Sequence, residues 1–500
     1  AFTIPPLSHD IPLQFIIPCE KLSFSYAYPD WWKIQVKKIA KDSIPHYQVK
    51  QDPENRKTTI TYLANNVPAL QIEKYSPFFK EVVNYFEFMI TDLQMLSRSY
   101  KSEKSWNDLM ISLRKDKMNK DGFLSSLVEN TTKDIIKDVH TPLEKLDTII
   151  TYLQTNIEPM NEYDDRNFKR ILEDKKGSVS RITGLAHSML TKAGLEAQYL
   201  LLHSAKDGYF DRDYISYSQF TIPAVGVTIE DEKYVVFPYA KIPISYVPQN
   251  FQGQLALGIS GDKQSTEVEF WEVPSGNQAE NIVDEEYNLK IDEAGLINVS
   301  EIKTYRGSNA YFGRQALEDL TDDELEDELK ELLTYTDGEI KIVSREIINL
   351  EAYKKPLIIK LNYTIDNLIT LTPEEVIFQT GGLFSPISGA KYKIDTEERQ
   401  NPIRIYYNET IIKHINISFP ESWKIEKPLK NIEFQNIFGR IYGEYHISSG
   451  QLIANQQRQL VRSDAPKEKI SELLELTGEK SRLAIPTIVF RIQIPNEKTN

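Results

Sequence analysis

One cysteine, Cys19, stands in 500 residues. No intrachain disulfide can form, so the fold must rest on packing alone. Cys19 follows Ile-Ile-Pro in strand-like sequence and reads as a buried, inert thiol. Histidine is sparse too, at seven positions. His9, His46, His140, His187, His203, His414 and His446 are scattered, with no His-x-x-x-His or Cys-x-x-Cys spacing, so zinc is not expected. Gly381-Gly382 lacks the flanks of a phosphate-cradling loop. No metal and no cofactor is therefore expected. Positive charge is in the minority: 59 Lys and Arg against 73 Asp and Glu give a net charge of −14. That is the wrong sign for a nucleic-acid partner, which wants a clustered basic face. No apolar run reaches the length of a membrane span. Ala1 opens directly onto strand-like sequence with no signal peptide visible, as expected of a mature or trimmed chain.

What remains is ordinary globular composition, 40% hydrophobic and 26% charged, enough to bury several cores. The length predicts about three domains. The organising stretch is Gly177 to Ala197. Ile182, Leu185, Ala186, Met189, Leu190 and Ala193 fall at the spacing of one buried helix face, with Val179 continuing the stripe at the first turn. Gly194 supplies the left-handed stop. Alternating runs at Gln198–His203, Gln219–Thr228 and Lys233–Tyr239 follow as strands.

Before this helix, residues 1 to about 95 alternate as strands, most clearly at Leu22–Tyr28 and Thr58–Leu63. From 100 to 157 the period turns helical. Ser105 caps a helix entered at Trp106, Asp121–Val139 forms a second, and Pro142 sits in the first turn of a third. After 265 strands return, interrupted by one helix that opens on the capping box Thr321-Asp322-Asp323-Glu324. Its acidic face lacks the central glycine and closing glutamate of a calcium loop and reads as solvated. Tyr28-Pro29-Asp30-Trp31-Trp32-Lys33-Ile34 recurs as Phe419-Pro420-Glu421-Ser422-Trp423-Lys424-Ile425, each after an alternating strand. The repeat predicts related β modules at the two ends.

The stretch around Gly177 resembles the transglutaminase-like superfamily, a papain-like core, in its Bacteroidetes-type branch with flanking uncharacterised β domains. That branch carries a Gly-Asp-Cys-Lys-Asp turn, a helix ending in Gly-Ile-x-Ala, then Phe-Asn-His on one strand and Leu-Asp-x-Thr on the next. Here Gly177, Gly194-Leu195-Glu196-Ala197, Phe220-Thr221-Ile222 and Val236-Phe237-Pro238-Tyr239 keep the separations. Asn66-Val67-Pro68-Ala69 with Glu73 and Pro77, Gln252-Gly253 with Leu255-Ala256-Leu257, and Glu398-Arg399 with Pro402 resemble the same branch further out. The resemblance implies an α+β multidomain fold. An N-terminal β-sandwich spans 1–98, entered partway through. A transglutaminase-like domain follows at 99–265, then a C-terminal β-sandwich region at 266–500 with a split near 395. It also implies a periplasmic or cell-envelope location.

The reactive residues of the resemblance are absent. Val179 stands at the cysteine position, Ile222 (or Phe220 in a shifted register) at the histidine position, and Phe237 at the aspartate position. A helix N-terminus favours thiolate, an imidazole takes its proton and a carboxylate orients the imidazole. Valine, isoleucine and phenylalanine do none of this. Ser178 and Ser180 flank the lost cysteine and read as capping residues rather than nucleophiles, and His187 as an interhelix or surface histidine. Tyr209, Phe210, Tyr214 and Tyr217 crowd one loop beside the same mouth. That loop is either a recognition surface for a peptide or glycan or packed against a neighbouring domain. The expectation is a non-catalytic pseudoenzyme, a protein-binding or structural protein of the envelope. An active hydrolase or acyltransferase with a relocated nucleophile and a carbohydrate-binding accessory protein are the alternatives.

Overall fold

The computed structural model describes residues 8–39, 46–71, 73–95, 98–117, 126–160, 166–259, 267–275, 281–318, 320–333, 338–384, 399–477 and 481–493. The chain divides into two compact units. One is Ala1–Ile72 with Pro77–Gly276, the other Glu73–Ser76 with Asn277–Asn500. Both are mixed α+β, with strands in the majority.

The first unit begins with β1 (Ser8–Pro12), β2 (Cys19–Pro29), β3 (Lys33–Val36), β4 (Gln48–Asp52), β5 (Lys57–Val67), the single turn α1 (Phe79–Val82), β6 (Tyr85–Met95) and β7 (Arg98–Lys101). They form two antiparallel sheets, β2-β5-β4 and β1-β6-β3, the latter with β7 beside β6. Alternation in β2 sends Leu22, Phe24, Tyr26 and Tyr28 inward onto Ile60, Phe86 and Phe88. Cys19 lies on β2, half-exposed rather than buried, its Sγ 3.1 Å from the Lys21 carbonyl. It sits at the strand's first residue, before the alternating apolar face begins.

The helical part holds α2 (Trp106–Lys117), α3 (Ser126–Ile135) and α4 (Pro142–Asn156), then β8 (Glu158–Met160), α5 (Phe168–Asp174), β9 (Lys176–Ser178) and α6 (Val179–Lys192). Residues 121–125 of the expected second helix lie outside the described residues. Thr141 and Glu144 close a reciprocal capping box at α4. Five antiparallel strands follow: β10 (Glu196–Leu202), β11 (Ile222–Ile229), β12 (Glu232–Val236), β13 (Leu255–Ile259) and β14 (Glu269–Glu272), in the order β12-β11-β10-β13-β14. The third expected strand ends at Val236 and the second begins only at Ile222. Gln219 sits in a preceding 3₁₀ turn, Tyr217–Gln219.

α6 is the hub of this unit. Ile182, Leu185, Ala186, Met189 and Leu190 are each 0% exposed and share one cluster with Val225, Val227 and Val236 of the sheet and Ile149, Ile150 and Leu153 of α4. A large apolar side chain buried this way stabilises the fold by roughly 1.5–3 kcal/mol. Gly194, at φ +82°, ends the helix as the left-handed turn requires. The same burial encloses His187, whose Nε2 lies 3.2 Å from the Ala197 carbonyl. Burial pushes its pKa down to about 4.

The second unit contains β15 (Ile282–Ile291), β16 (Ile297–Tyr305), α7 (Ser308–Leu317), α8 (Asp322–Leu332), β17 (Glu339–Ile348), β18 (Leu357–Asp366), β19 (Ile369–Leu371), β20 (Glu375–Gln379), β21 (Ile403–Ile405), β22 (Glu409–Ser418), β23 (Trp423–Ile425), β24 (Ile432–Asn436), β25 (Gly439–Ser448), β26 (Gln451–Leu460), β27 (Ser463–Ala465), α9 (Ile470–Leu474) and β28 (Thr487–Ile492). An eight-stranded sheet runs β17-β18-β16-β15-β22-β26-β25-β24, and a four-stranded sheet β19-β20-β28-β23. One core contains Tyr287, Val299, Leu361, Phe378, Trp423 and Phe490. The expectation of a single helix here is corrected by α7 and the short α9. The aromatic pair Tyr311-Phe312 masks a helix whose Ala310, Arg314 and Leu317 are the buried face.

The repeated heptapeptide proves to be one structural device used twice. Trp32 N–H donates to the Pro29 carbonyl at 3.0 Å, and Trp423 N–H to the Pro420 carbonyl at 2.9 Å. Each turn carries the chain from one sheet to another, β2 to β3 and β22 to β23. In the second unit four charges are buried on adjacent strands. Glu285 lies 3.2 Å from Lys413, and Glu301 lies 2.6 Å from Lys303, every side chain at most 4% exposed. Tyr363 donates to Glu301 at 2.6 Å and Tyr287 to Glu285 at 3.1 Å. Burial alone would raise the Glu285 pKa, but Lys413 and Lys303 hold it below its ordinary value.

Two predictions follow from these burials. Lys413→Met leaves the buried carboxylates Glu285 and Glu301 with Lys303 alone between them and lowers the denaturant stability of the second unit by about 3–5 kcal/mol; adding Glu285→Leu restores most of it. His187, neutral when folded, regains a pKa near 6.5 on unfolding. The unfolded chain therefore takes up the proton first as pH falls from 7 toward 4. Stability should decline across that window by roughly 3 kcal/mol, and urea titrations of His187→Gln should show a correspondingly flatter pH dependence.

Candidate functional site

β8 and β9 pair in parallel and deliver Gly177 and Ser178 to the start of α6. Gly177 is buried where a β-carbon would press on Ile171 at 3.1 Å. Ser178 has the extended backbone of an N-cap residue, φ −68° and ψ 152°, but its side chain makes no capping bond. The expected capping role thus falls to its backbone geometry alone. Val179, the first helical residue, is half-buried. The half-buried Ser180 places its hydroxyl 3.0 Å from the Tyr199 hydroxyl on β10.

The two strand positions are reached through the sheet register. Val225 pairs with Val236 and Tyr199, and Ile222 with Leu202. Val225 and Val227 pack with α6, whereas a β-carbon on Gly226 would strike Trp271 and Leu200 on the opposite face. Two-residue alternation therefore points Ile222 away from α6. Phe220 is on the helical side, clustered with Tyr199, Leu201 and the α2 residues Leu109 and Leu113. Of the two readings of the histidine position, Phe220 is thus the one sharing surroundings with Ser180's partner. Phe237 follows β12 and is 2% exposed. Its ring lies 6.2 Å from Phe251 and 6.4 Å from Tyr239, and its carbonyl accepts from Gln154 of α4 at 3.0 Å. Tyr239 in turn donates to the Pro223 carbonyl at 2.8 Å, tying the end of β12 to the start of β11.

Neither neighbouring histidine offers a base. His187 lies eight residues along α6 from Val179, about 12 Å at 1.5 Å per residue. His203, fully buried, has Nδ1 2.7 Å from the Gln219 carbonyl and Nε2 3.0 Å from the Gly208 carbonyl. Each nitrogen faces a backbone carbonyl, and burial lowers its pKa, so the neutral ring donates its one N–H to one of the two. Cys19 belongs to β2, in the sheets of the strand-rich N-terminal part.

The aromatic loop is mostly structural. Tyr214 is 0% exposed, so it is corrected from recognition residue to core residue, and burial pushes its phenol well above the ordinary range. Phe210 is half-buried: it stacks on Trp106 at 5.7 Å and meets Phe220 and Phe270. Tyr209 and Tyr217 alone are exposed, at 40% and 45%. The loop is held down by charge and amide contacts. Lys38 N–H donates to Asp211 at 3.1 Å, Lys38 Nζ to Asp213 at 2.5 Å, and Gln35 to the Asp213 carbonyl at 2.8 Å. From inside the loop, Gln219 accepts from Asp211 N–H at 2.9 Å and donates to the Asp211 and Tyr214 carbonyls. Sequence reading missed Gln219, Gln154 and Tyr199, because one polar residue in an apolar run carries no pattern.

Gln219→Ala should leave these buried backbone groups unsatisfied at roughly 1–3 kcal/mol each. Thermal stability of the first unit should fall, and amide exchange across 209–218 should accelerate before that of α6.

Residues 377–490 match a family model for DUF3858, a domain of unknown function with a solved structure. No curated protein sequence matches the chain. Among solved structures, the chain resembles a candidate protease from Parabacteroides distasonis with TM-score 0.55 and 12% identity, covering 98% of this chain and 77% of that one. A candidate cysteine protease from Cytophaga hutchinsonii overlaps 53% of this chain and 84% of its own, with TM-score 0.19 and 9% identity, too low to bear on the fold. What the comparisons establish is a fold shared with the Parabacteroides protein over nearly the whole chain, and a DUF3858-like segment near its C-terminal end.

Proposed function

We propose that this protein is a transglutaminase-like pseudoenzyme, a non-catalytic binding or structural protein built on a papain-like core flanked by β domains. The observation that carries this reading is the start of α6. Where the resemblance expects a thiolate at a helix N-terminus there is Val179, and the adjacent Ser180 hydroxyl is engaged with Tyr199. An acyl-transfer site needs a nucleophile, a base within hydrogen-bond reach and an orienting group. Phe220, Ile222 and Phe237 supply none of these. The Parabacteroides relative is described as a candidate protease. On this reading the present chain keeps such a scaffold and has dropped the chemistry. The resemblance to the exported branch supports a periplasmic or envelope location, and the exposed Tyr209 and Tyr217 support a peptide or glycan as the bound class.

The test is turnover. Purified protein given amide, peptide and glutamine-donor substrates should give product at the no-enzyme rate, between pH 5 and 9. Turnover well above that rate, abolished by Ser178→Ala or Ser180→Ala, would falsify the reading.

A further inference from the structure

Two motifs that the proposed function leaves unused meet inside the second unit. Glu73–Ser76 is surrounded in sequence by the first unit yet belongs by its contacts to the second. There it lies against Arg399–Arg404. The Glu73 carboxylate accepts two consecutive backbone N–H groups, Gln400 at 2.6 Å and Asn401 at 3.0 Å, one on each oxygen. Arg399, its side chain 2% exposed, sits 3.8 Å from Glu73. It donates to the carbonyls of Lys74 at 2.9 Å, Tyr75 at 2.9 Å and Pro402 at 3.0 Å. Arg404 N–H donates to the same Tyr75 carbonyl at 2.8 Å. The Tyr75 ring packs on a core containing Ile403, Phe438, Leu473 and Leu476. Its hydroxyl interacts with Thr477 and Arg458, and burial raises its pKa. The residue holds φ +58°, a left-handed conformation that a tyrosine keeps only when its surroundings enforce it.

These contacts have the form of peptide recognition. A carboxylate sits in a pair of successive N–H groups, a buried guanidinium reads main-chain carbonyls, and an aromatic side chain anchors in an apolar pocket. We propose that the second unit carries a peptide-binding groove, built from Arg399–Arg404 and the core beneath it, that takes a Glu-x-Tyr peptide and is filled in this chain by its own residues 73–76. The proposal is independent of whether the α6 site is catalytic.

The experiment uses the full chain with hydrogen exchange and a synthetic peptide of sequence 69–79. Glu73→Gln, which keeps volume and loses charge, should speed exchange at Gln400 and Asn401 at least tenfold, while amides of β15 and β16 keep their rates. Tyr75→Ala should vacate the groove, so that this variant binds the peptide saturably and regains protection across 400–404. Wild type, with its groove occupied, should not bind it, nor should the variant bind a peptide carrying Gln and Ala at the Glu and Tyr positions. Unchanged exchange at Gln400 and Asn401 in Glu73→Gln would overturn the proposal, as would equal binding of authentic and altered peptides. Should Tyr75→Ala fail to fold, the Glu73→Gln exchange rates decide alone.

Discussion

In the first unit the contact between the apolar face of α6 and the inner face of β10 and β11 comes before everything else. Ile182, Leu185 and Met189 against Val225 and Val227 remove a continuous surface from water. Once that surface is fixed, the start of the helix, the ends of two strands and the intervening loop have few places to go. Sites of this kind are built at element ends because the elements themselves are rigid. Here the ends are held by buried or half-buried hydrogen bonds. Gln154 grips the carbonyl after β12, Tyr239 grips the start of β11, and Gln219 pins the loop. The side chains so positioned are apolar.

The second unit solves a different problem. Its strands bury Glu285, Glu301, Lys303 and Lys413, groups that would each be costly to desolvate alone. Cross-strand register brings opposite charges together: Glu285 is partnered by Lys303 on one side and by Lys413 on the other. A one-residue slip of either strand would turn these side chains to the other face and strand the charges. The network therefore favours one register, including the single parallel pairing of the large sheet, β15 with β22.

The reused Pro-Asp/Glu-x-Trp corner and the Glu73–Arg399 junction show how far short motifs can be read. The corner was visible as a repeat, and its meaning, a turn between sheets, follows from one i to i+3 hydrogen bond in each copy. The junction was visible only as two unrelated scraps of sequence, 326 positions apart by the difference of 399 and 73. Nothing local in either scrap names the other.

The division between legible and hidden follows from range. Sequence alone determined α6, its glycine stop, the proline in the first turn of α4, the capping box at Thr321, the alternating strands and the lack of a thiol at the helix start. Each is set by neighbours within a turn or a pleat, through periodicity and capping. Tertiary structure decided that Ile222 faces away from α6 while Phe220 does not, that Tyr214 is core and Phe210 packs at the edge of a cluster, that α7 is a helix, and that residues 73–76 belong to the other unit. Those outcomes depend on which distant surface each residue meets, and burial against a distant surface leaves no period along the chain.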